Sequence, residues 1–137
     1  MADCTLRFPA TFAAYARASS ELRRALADEG VAERQRYNTE LVFEEIVSNI
    51  IRHGCSSHVQ CAIEVSLGFD EDGVVLSFHD NGQPFDPCGY EAPAAPNTLD
   101  EAGRGGLGLL LVRNAAARID YERTRQNKNR ITVTIAA

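Results

Sequence analysis

Three groups of residues in this chain have the types and spacing to do chemistry. Glu45, Asn49 and His53 recur every four residues within a segment of helical periodicity. Helical residues turn by about 100° each, so these three form a stripe along one side. Val42, Phe43, Ile46, Val47, Ile50 and Ile51 fill the adjacent apolar arc, and the stripe therefore edges a buried face. An amide beside a carboxylate at such a boundary offers hard oxygen ligands to Mg²⁺. The same stripe also fits the solvated edge of an amphipathic helix.

The second group, Asp80-Asn81-Gly82, ends the apolar segment VVLSFHD. Asp-Asn-Gly is strong turn chemistry, yet no partner strand follows within hairpin distance. An Asp at a strand end, with Gly82 permitting close backbone approach, suits recognition of an amino group such as adenine N6. The third group, Gly103-Arg-Gly-Gly-Leu-Gly108, has the form GxGxxG, but no strand leads into it and no βαβ unit surrounds it. It also lacks the Lys-Ser/Thr ending of a P-loop. What it supplies is a helix N-terminus, whose N–H groups and positive dipole end suit phosphate.

The elements that must hold these groups follow from periodicity. Residues 3–8 alternate as a strand closed by Pro9, and 11–29 carry Tyr15, Ala18, Leu22, Ala25 and Leu26 at helical spacing up to Gly30. A second helix runs from Glu33 or Asn38 to His53, broken by Gly54. Cys61, Ile63, Val65, Leu67 and Phe69 share one face of a strand over 60–69, and the turn Asp70–Gly73 pairs it with the strand ending at Asp80. Residues 81–106 are rich in glycine and proline and lack periodicity, as expected of a binding loop or lid. A third helix from Leu107 to about Arg118 precedes two last strands, IDYERTR and RITVTIA, joined by a polar turn. Hairpins and helices in this order give an α+β layer arrangement.

Composition narrows the partners. A chain of 137 residues with 45% apolar and 24% charged residues fits one globular domain. The net charge of −5 gives a nucleic-acid partner no electrostatic support. The start, MADCTLRFPA, lacks the pattern of a signal peptide, and no segment has the length and apolarity of a membrane span, so a cytoplasmic location is expected. Without an export signal, Cys4, Cys55, Cys61 and Cys88 are expected to be reduced. His53, Cys55, His58 and Cys61 can be drawn as a metal set, but their spacing lacks the tight pairs of zinc sites.

Taken in order, Glu45-x-x-x-Asn49-x-x-x-His53, Asp80-x-Gly82-x-Pro84-Phe85-Asp86-Pro87 and Gly103-x-Gly105-Gly106-Leu107-Gly108 resemble the N, G1 and G2 boxes of the GHKL ATPase superfamily. Within it they are most similar to the small anti-sigma-factor serine/threonine kinases of bacteria. The likeness spans essentially the whole chain. It implies the Bergerat ATP-binding fold, an α+β two-layer sandwich: a mixed, mostly antiparallel sheet of about five strands with three helices on one face. It also implies a single ATP-binding and kinase domain over residues 1–137, with a lid over roughly 89–105.

By motif position, the resemblance implies that Asn49 ligates the Mg²⁺ bridging the ATP phosphates and that Glu45 is the general base toward an attacking hydroxyl. Glu44 adjoins Glu45, and only the four-residue step to Asn49 picks between them. Asp80 holds the adenine amino group and Gly82 lines the base pocket. Gly106, Leu107 and Gly108 contact phosphate through their backbone, Arg104 reaches the γ-phosphate from the lid, and Thr132 stands at the adenine site. The implied activity is phosphorylation of a STAS-type anti-anti-sigma protein, with a sigma factor bound in the other state; homodimers are common in the family. Two other readings stay open: an ATP/ADP-gated binding module in which Glu45 has lost catalytic work, and a detached histidine-kinase-like ATPase domain, which would expect a separate phospho-acceptor helix.

Overall fold

The computed structural model describes residues 4–55, 60–84, 86 and 106–137, with backbone alone for 106–109. Strand β1 (Cys4–Pro9) leads to helix α1 (Phe12–Asp28), whose N-cap Thr11 accepts a hydrogen bond from the Ala14 N–H through its hydroxyl at 3.1 Å. Gly30, at φ +68°, supplies the left-handed residue that ends α1. Helix α2 (Glu33–Asn49) follows and passes directly into a π-helical turn, Ile50–Gly54. Strands β2 (Ala62–Asp70) and β3 (Gly73–Asp80) form a hairpin. Its turn is closed by the Asp70 carboxylate, which accepts from the N–H groups of Asp72 and Gly73. Helix α3 (Gly106–Ala115) and the hairpin β4 (Arg118–Arg123) and β5 (Asn129–Ile135) complete the chain.

The sheet order is β1-β2-β3-β5-β4, and each neighbouring pair is antiparallel. The expected α+β sandwich is therefore present, with no parallel pair among the described strands. Connectivity explains this. The β1–β2 connection contains two helices, so the chain returns reversed. The connection from β3 reaches β4, and β5 inserts between them, leaving those two strands parallel but not adjacent.

Helix α1 packs on β1, α2 on β3 and β5, and α3 against α2. Ile63, Val65, Leu67, Val74, Leu76, Phe78, Ile131, Val133 and Ile135 turn to this side and are buried with Leu22 and Leu26 of α1 and Val42, Phe43, Ile46 and Val47 of α2. Phe43 sits at the centre, its ring centroid 5.8 Å from Tyr15, 6.2 Å from Phe78 and 6.3 Å from Phe8. Each such side chain contributes about 1.5–3 kcal/mol by leaving water. The alternate strand positions are polar: Arg7, Glu64, His79, Arg130 and Glu122 lie in one register row across the open face.

The cysteines depart from expectation. Cys55 and Cys61 form a disulfide, their Cα atoms 5.8 Å apart, while Cys4 is free. The cause is geometric: the end of the π-helical turn and the start of β2 lie close enough to put the two residues within bonding reach. The bond also withdraws Cys55 and Cys61 from the metal set drawn with His53 and His58; His58 lies outside the described residues. Closing so short a loop restricts the unfolded chain by about 2 kcal/mol. Cys55→Ser, or reduction of the wild type, is expected to lower the unfolding free energy by about that amount in a urea titration. An unchanged midpoint under reducing conditions would show that the bond adds no stability.

Candidate functional site

The site forms where β3 ends beneath the C-terminus of α2. A helix end leaves its last carbonyls without partners, and here Gln83 supplies two: its N–H donates to the Gly54 carbonyl at 2.8 Å and its side-chain amide donates to the His53 carbonyl. The π-helical turn presents those two carbonyls toward the loop after β3. π-turns inserted in α-helices are often found at functional sites. This contact to His53 is made through its backbone carbonyl. A side chain at Gly82 would collide with the Gly54 carbonyl, so the close approach needs glycine there.

Asp80, with 3% of its surface exposed, lies at the bottom of this junction. Its Oδ1 accepts from the Gly82 N–H at 2.9 Å and from the Asn129 amide at 3.1 Å. Burial pushes its carboxyl above the usual range, against the hydrogen bonds from Asn129 and Gly82 and the charges of Arg123 and His79. Asn81 turns the other way and ties the turn to β2, accepting from Ala62 N–H at 2.8 Å and donating to the Gln60 carbonyl at 3.0 Å. The Asp-Asn-Gly sequence thus makes a turn, but one closed against a helix end and a neighbouring strand.

Asn49 is the last residue of α2 and is buried, and its amide nitrogen has no hydrogen-bond partner among the described residues. A buried amide end left unsatisfied costs about 1–3 kcal/mol, so a partner reaching it would be stabilising. Rotating the amide by 180° exchanges its nitrogen and oxygen, so the unsatisfied end can offer oxygen to a cation or N–H to a phosphate. One turn earlier, Glu45 is half-buried while Glu44 is exposed. Burial raises the Glu45 carboxyl above its ordinary range, Glu44 adds to the rise, and Arg52 opposes it. The environment thus separates two adjacent glutamates that the sequence leaves nearly equivalent.

Gly106, Leu107 and Gly108 form the first turn of α3, with their backbone N–H groups at the helix N-terminus. Arg104 and the expected lid over 89–105 lie outside the described residues. Thr132 does not join the group. It pairs with Ser77 and Asp120 and alternates with buried Ile131 and Val133, which puts it on the open face, away from Asp80. The β5 residue at Asp80 is Asn129, its direct register partner. An offset of three residues reverses the side in a strand, and the placement of Thr132 at the adenine site is corrected on that ground. Sequence reasoning also missed Gln83, Tyr121 and Arg123. They converge on Asn129, which in turn bonds Asp80, and that convergence depends on the pairing of β5 with both β3 and β4.

The sequence pattern that defines the histidine kinase-like ATPase domain matches residues 8–135 of this chain. The chain belongs to the histidine kinase-like ATPase family. A relative in the family, the serine/threonine-protein kinase BtrW of Bordetella bronchiseptica, is 34% identical over 101 residues, covering 74% of this chain and 70% of BtrW. Solved structures share the fold. The SiaB–SiaC complex of Pseudomonas aeruginosa superposes with a TM-score of 0.65 at 18% identity, covering 99% of this chain and 91% of that one. The RsbU and RsbW domains of a Mycobacterium tuberculosis protein give 0.66 at 20% identity over 97% of this chain; the match spans only 32% of that longer chain. The family domain takes ATP as its nucleotide, and no described helix is long and apolar enough to cross a membrane.

The buried Asp80 yields a test with a definite sign. Its folded carboxyl binds a proton more readily than the unfolded one, so its contribution to stability is lost as pH rises through the window between the two values. Asp80→Asn keeps an acceptor for Gly82 and Asn129 but cannot ionise. It is therefore expected to match or exceed the wild-type melting temperature at pH 7, with the advantage shrinking on acidification, while ATP binding is lost. A variant that melts well below wild type at pH 7 would show that ionised Asp80 supports the fold.

Proposed function

We propose that this chain is an ATP-dependent serine/threonine-protein kinase and anti-sigma regulatory factor, which phosphorylates a STAS-type anti-anti-sigma protein and binds a sigma factor in its other state. The observation that carries the kinase reading is the pair Glu45 and Asn49, one helical turn apart. One is a half-buried carboxylate with a raised pKa and the other a buried amide with an unsatisfied end. The likeness to a serine/threonine-protein kinase supports transfer to a hydroxyl. That one fold neighbour, SiaB, is seen in complex with a second protein, SiaC, agrees with a protein substrate.

In this reading, adenine lies against Asp80 and Gly82, and the phosphates face the α3 N-terminus at Gly106, Leu107 and Gly108, with Arg104 at the γ-phosphate. Asn49 would hold Mg²⁺, which when bound neutralises phosphate charge. Glu45 accepts the proton of the substrate hydroxyl as it attacks. Phosphoryl transfer depends mainly on positioning and charge stabilisation, and one base completes it. Incubation with γ-labelled ATP and small STAS proteins, with phosphoprotein detected on gels, tests the reading. Label on a Ser or Thr of one of them supports it. ATP binding without transfer to any of them would favour the nucleotide-gated binding module.

A further inference from the structure

We propose that the Cys55–Cys61 bond is a thiol–disulfide exchange site whose state sets the affinity of the Asp80 junction for nucleotide, high when the bond is closed and lower once a small dithiol has reduced it. This rests on the reading of that junction as the base pocket.

The bond anchors the pocket wall. Gly54, the residue before Cys55, is buried, and a Cβ placed on it would stand 3.9 Å from Asp80 Oδ1. Its carbonyl accepts from the Gln83 N–H at 2.8 Å and abuts Gly82. On the other side, Cys61 lies between Gln60 and Ala62, and Asn81 holds both. The Gln60 carbonyl accepts from the Asn81 amide at 3.0 Å, and the Ala62 N–H donates to its oxygen at 2.8 Å. Residues 81–83 thus grip the chain just before Cys55 and on both sides of Cys61, and the disulfide closes the ring. Asn49 and Cys55 flank the π-helical turn, so this one covalent anchor fixes the end of the segment that joins Asn49 to the pocket wall.

Opening the bond leaves the two hydrogen bonds from Gln83 to hold the end of the π-helical turn. Water can replace either, so the turn then samples arrangements in which Gly54 has left Gly82. Only the seated arrangement shapes the pocket, and the apparent affinity falls with the fraction of molecules that hold it.

The exchange has a direction. Cys55 is partly exposed and Cys61 is buried, so an incoming thiolate attacks the Cys55 sulfur. That step forms a mixed disulfide at Cys55 and releases Cys61 as a thiolate, which takes a proton. The second thiol of the reagent then attacks its own bound sulfur, closing a cyclic disulfide and freeing Cys55. Two electrons pass from the dithiol to the protein, and both cysteines end as thiols. They stay close, being six positions apart in the chain, so an oxidised dithiol restores the bond by the reverse steps. Cys4 stands opposite Leu67, well along β2 from Cys61, and takes no part.

The test measures ATP affinity by calorimetry on the full chain, oxidised and after dithiothreitol. Circular dichroism checks that both forms are folded, and alkylation with mass spectrometry reports the state of Cys55 and Cys61. The oxidised protein is expected to bind ATP about tenfold more tightly. Cys55→Ser combined with Cys61→Ser is expected to bind as the reduced wild type does and to ignore the reductant. If this variant does not fold, the oxidised-to-reduced ratio of the wild type decides alone. A bond that merely staples the fold would lower the melting temperature on reduction and leave the affinity of the folded form unchanged. That result overturns the inference and leaves the adenine reading standing. A folded double variant that binds as tightly as oxidised wild type, or still responds to dithiothreitol, overturns it too. Absence of ATP binding in both redox forms overturns the adenine reading, and this inference with it.

Discussion

Asn49→Ala is expected to abolish Mg²⁺-dependent ATP binding, with affinity falling on the order of 100-fold or more, while the fold is retained. The two halves of this result have one cause. The Asn49 side chain is buried at 4% exposure, and its amide nitrogen finds no partner among the described residues. In the empty protein the amide is a cost, because it has left water without gaining a hydrogen bond. Alanine removes that cost and leaves a small void, two terms of opposite sign and similar size. The melting temperature of the empty variant should therefore stay near that of wild type. The loss appears only when nucleotide and metal are supplied together, as heat in a calorimetric titration with Mg²⁺ against one with EDTA. Wild-type affinity in the variant, or an equal loss in both titrations, would remove Asn49 from the metal site.

Much of the local geometry of the candidate site was legible in the sequence, because its residues lie in short segments. The four-residue steps from Glu45 to His53 need only helical geometry. Asp80 and Gly82 stand two residues apart at the end of an alternating strand. What stayed hidden depends on long-range pairing. Asn129 reaches Asp80 because β5 inserts beside β3, which joins residues 49 apart in sequence. Thr132 shows the limit of transfer by motif position: the strand was right, but an odd offset within it faces the other way. The π-helical turn has no signature in a pattern that reads as unbroken helix to His53, and it is what delivers the His53 and Gly54 carbonyls to Gln83. The Cys55–Cys61 bond likewise depends on how the π-helical turn and β2 are placed in space and could not be drawn from spacing alone.

Glu45→Gln is expected to lower phosphoryl transfer by about 10²–10⁴-fold while ATP affinity stays within roughly threefold. The amide has nearly the size of the carboxylate and keeps its packing, so what is lost is the capacity to accept a proton. The pH profile gives a second readout. Burial and Glu44 raise the Glu45 carboxyl, so the acid limb of the transfer rate should lie nearer neutrality than an ordinary carboxylate would place it. The base is active when ionised, and the rate therefore rises with pH through that limb. Removing the like charge with Glu44→Gln should move the limb to lower pH and preserve transfer, whereas Arg52→Ala removes an opposing charge and should move it higher. These opposite displacements tie the limb to Glu45, since a change in folding would not reverse sign between the two neighbours. If Glu44→Gln abolished transfer and Glu45→Gln did not, the exposed glutamate would be the base and the half-buried one would serve the fold.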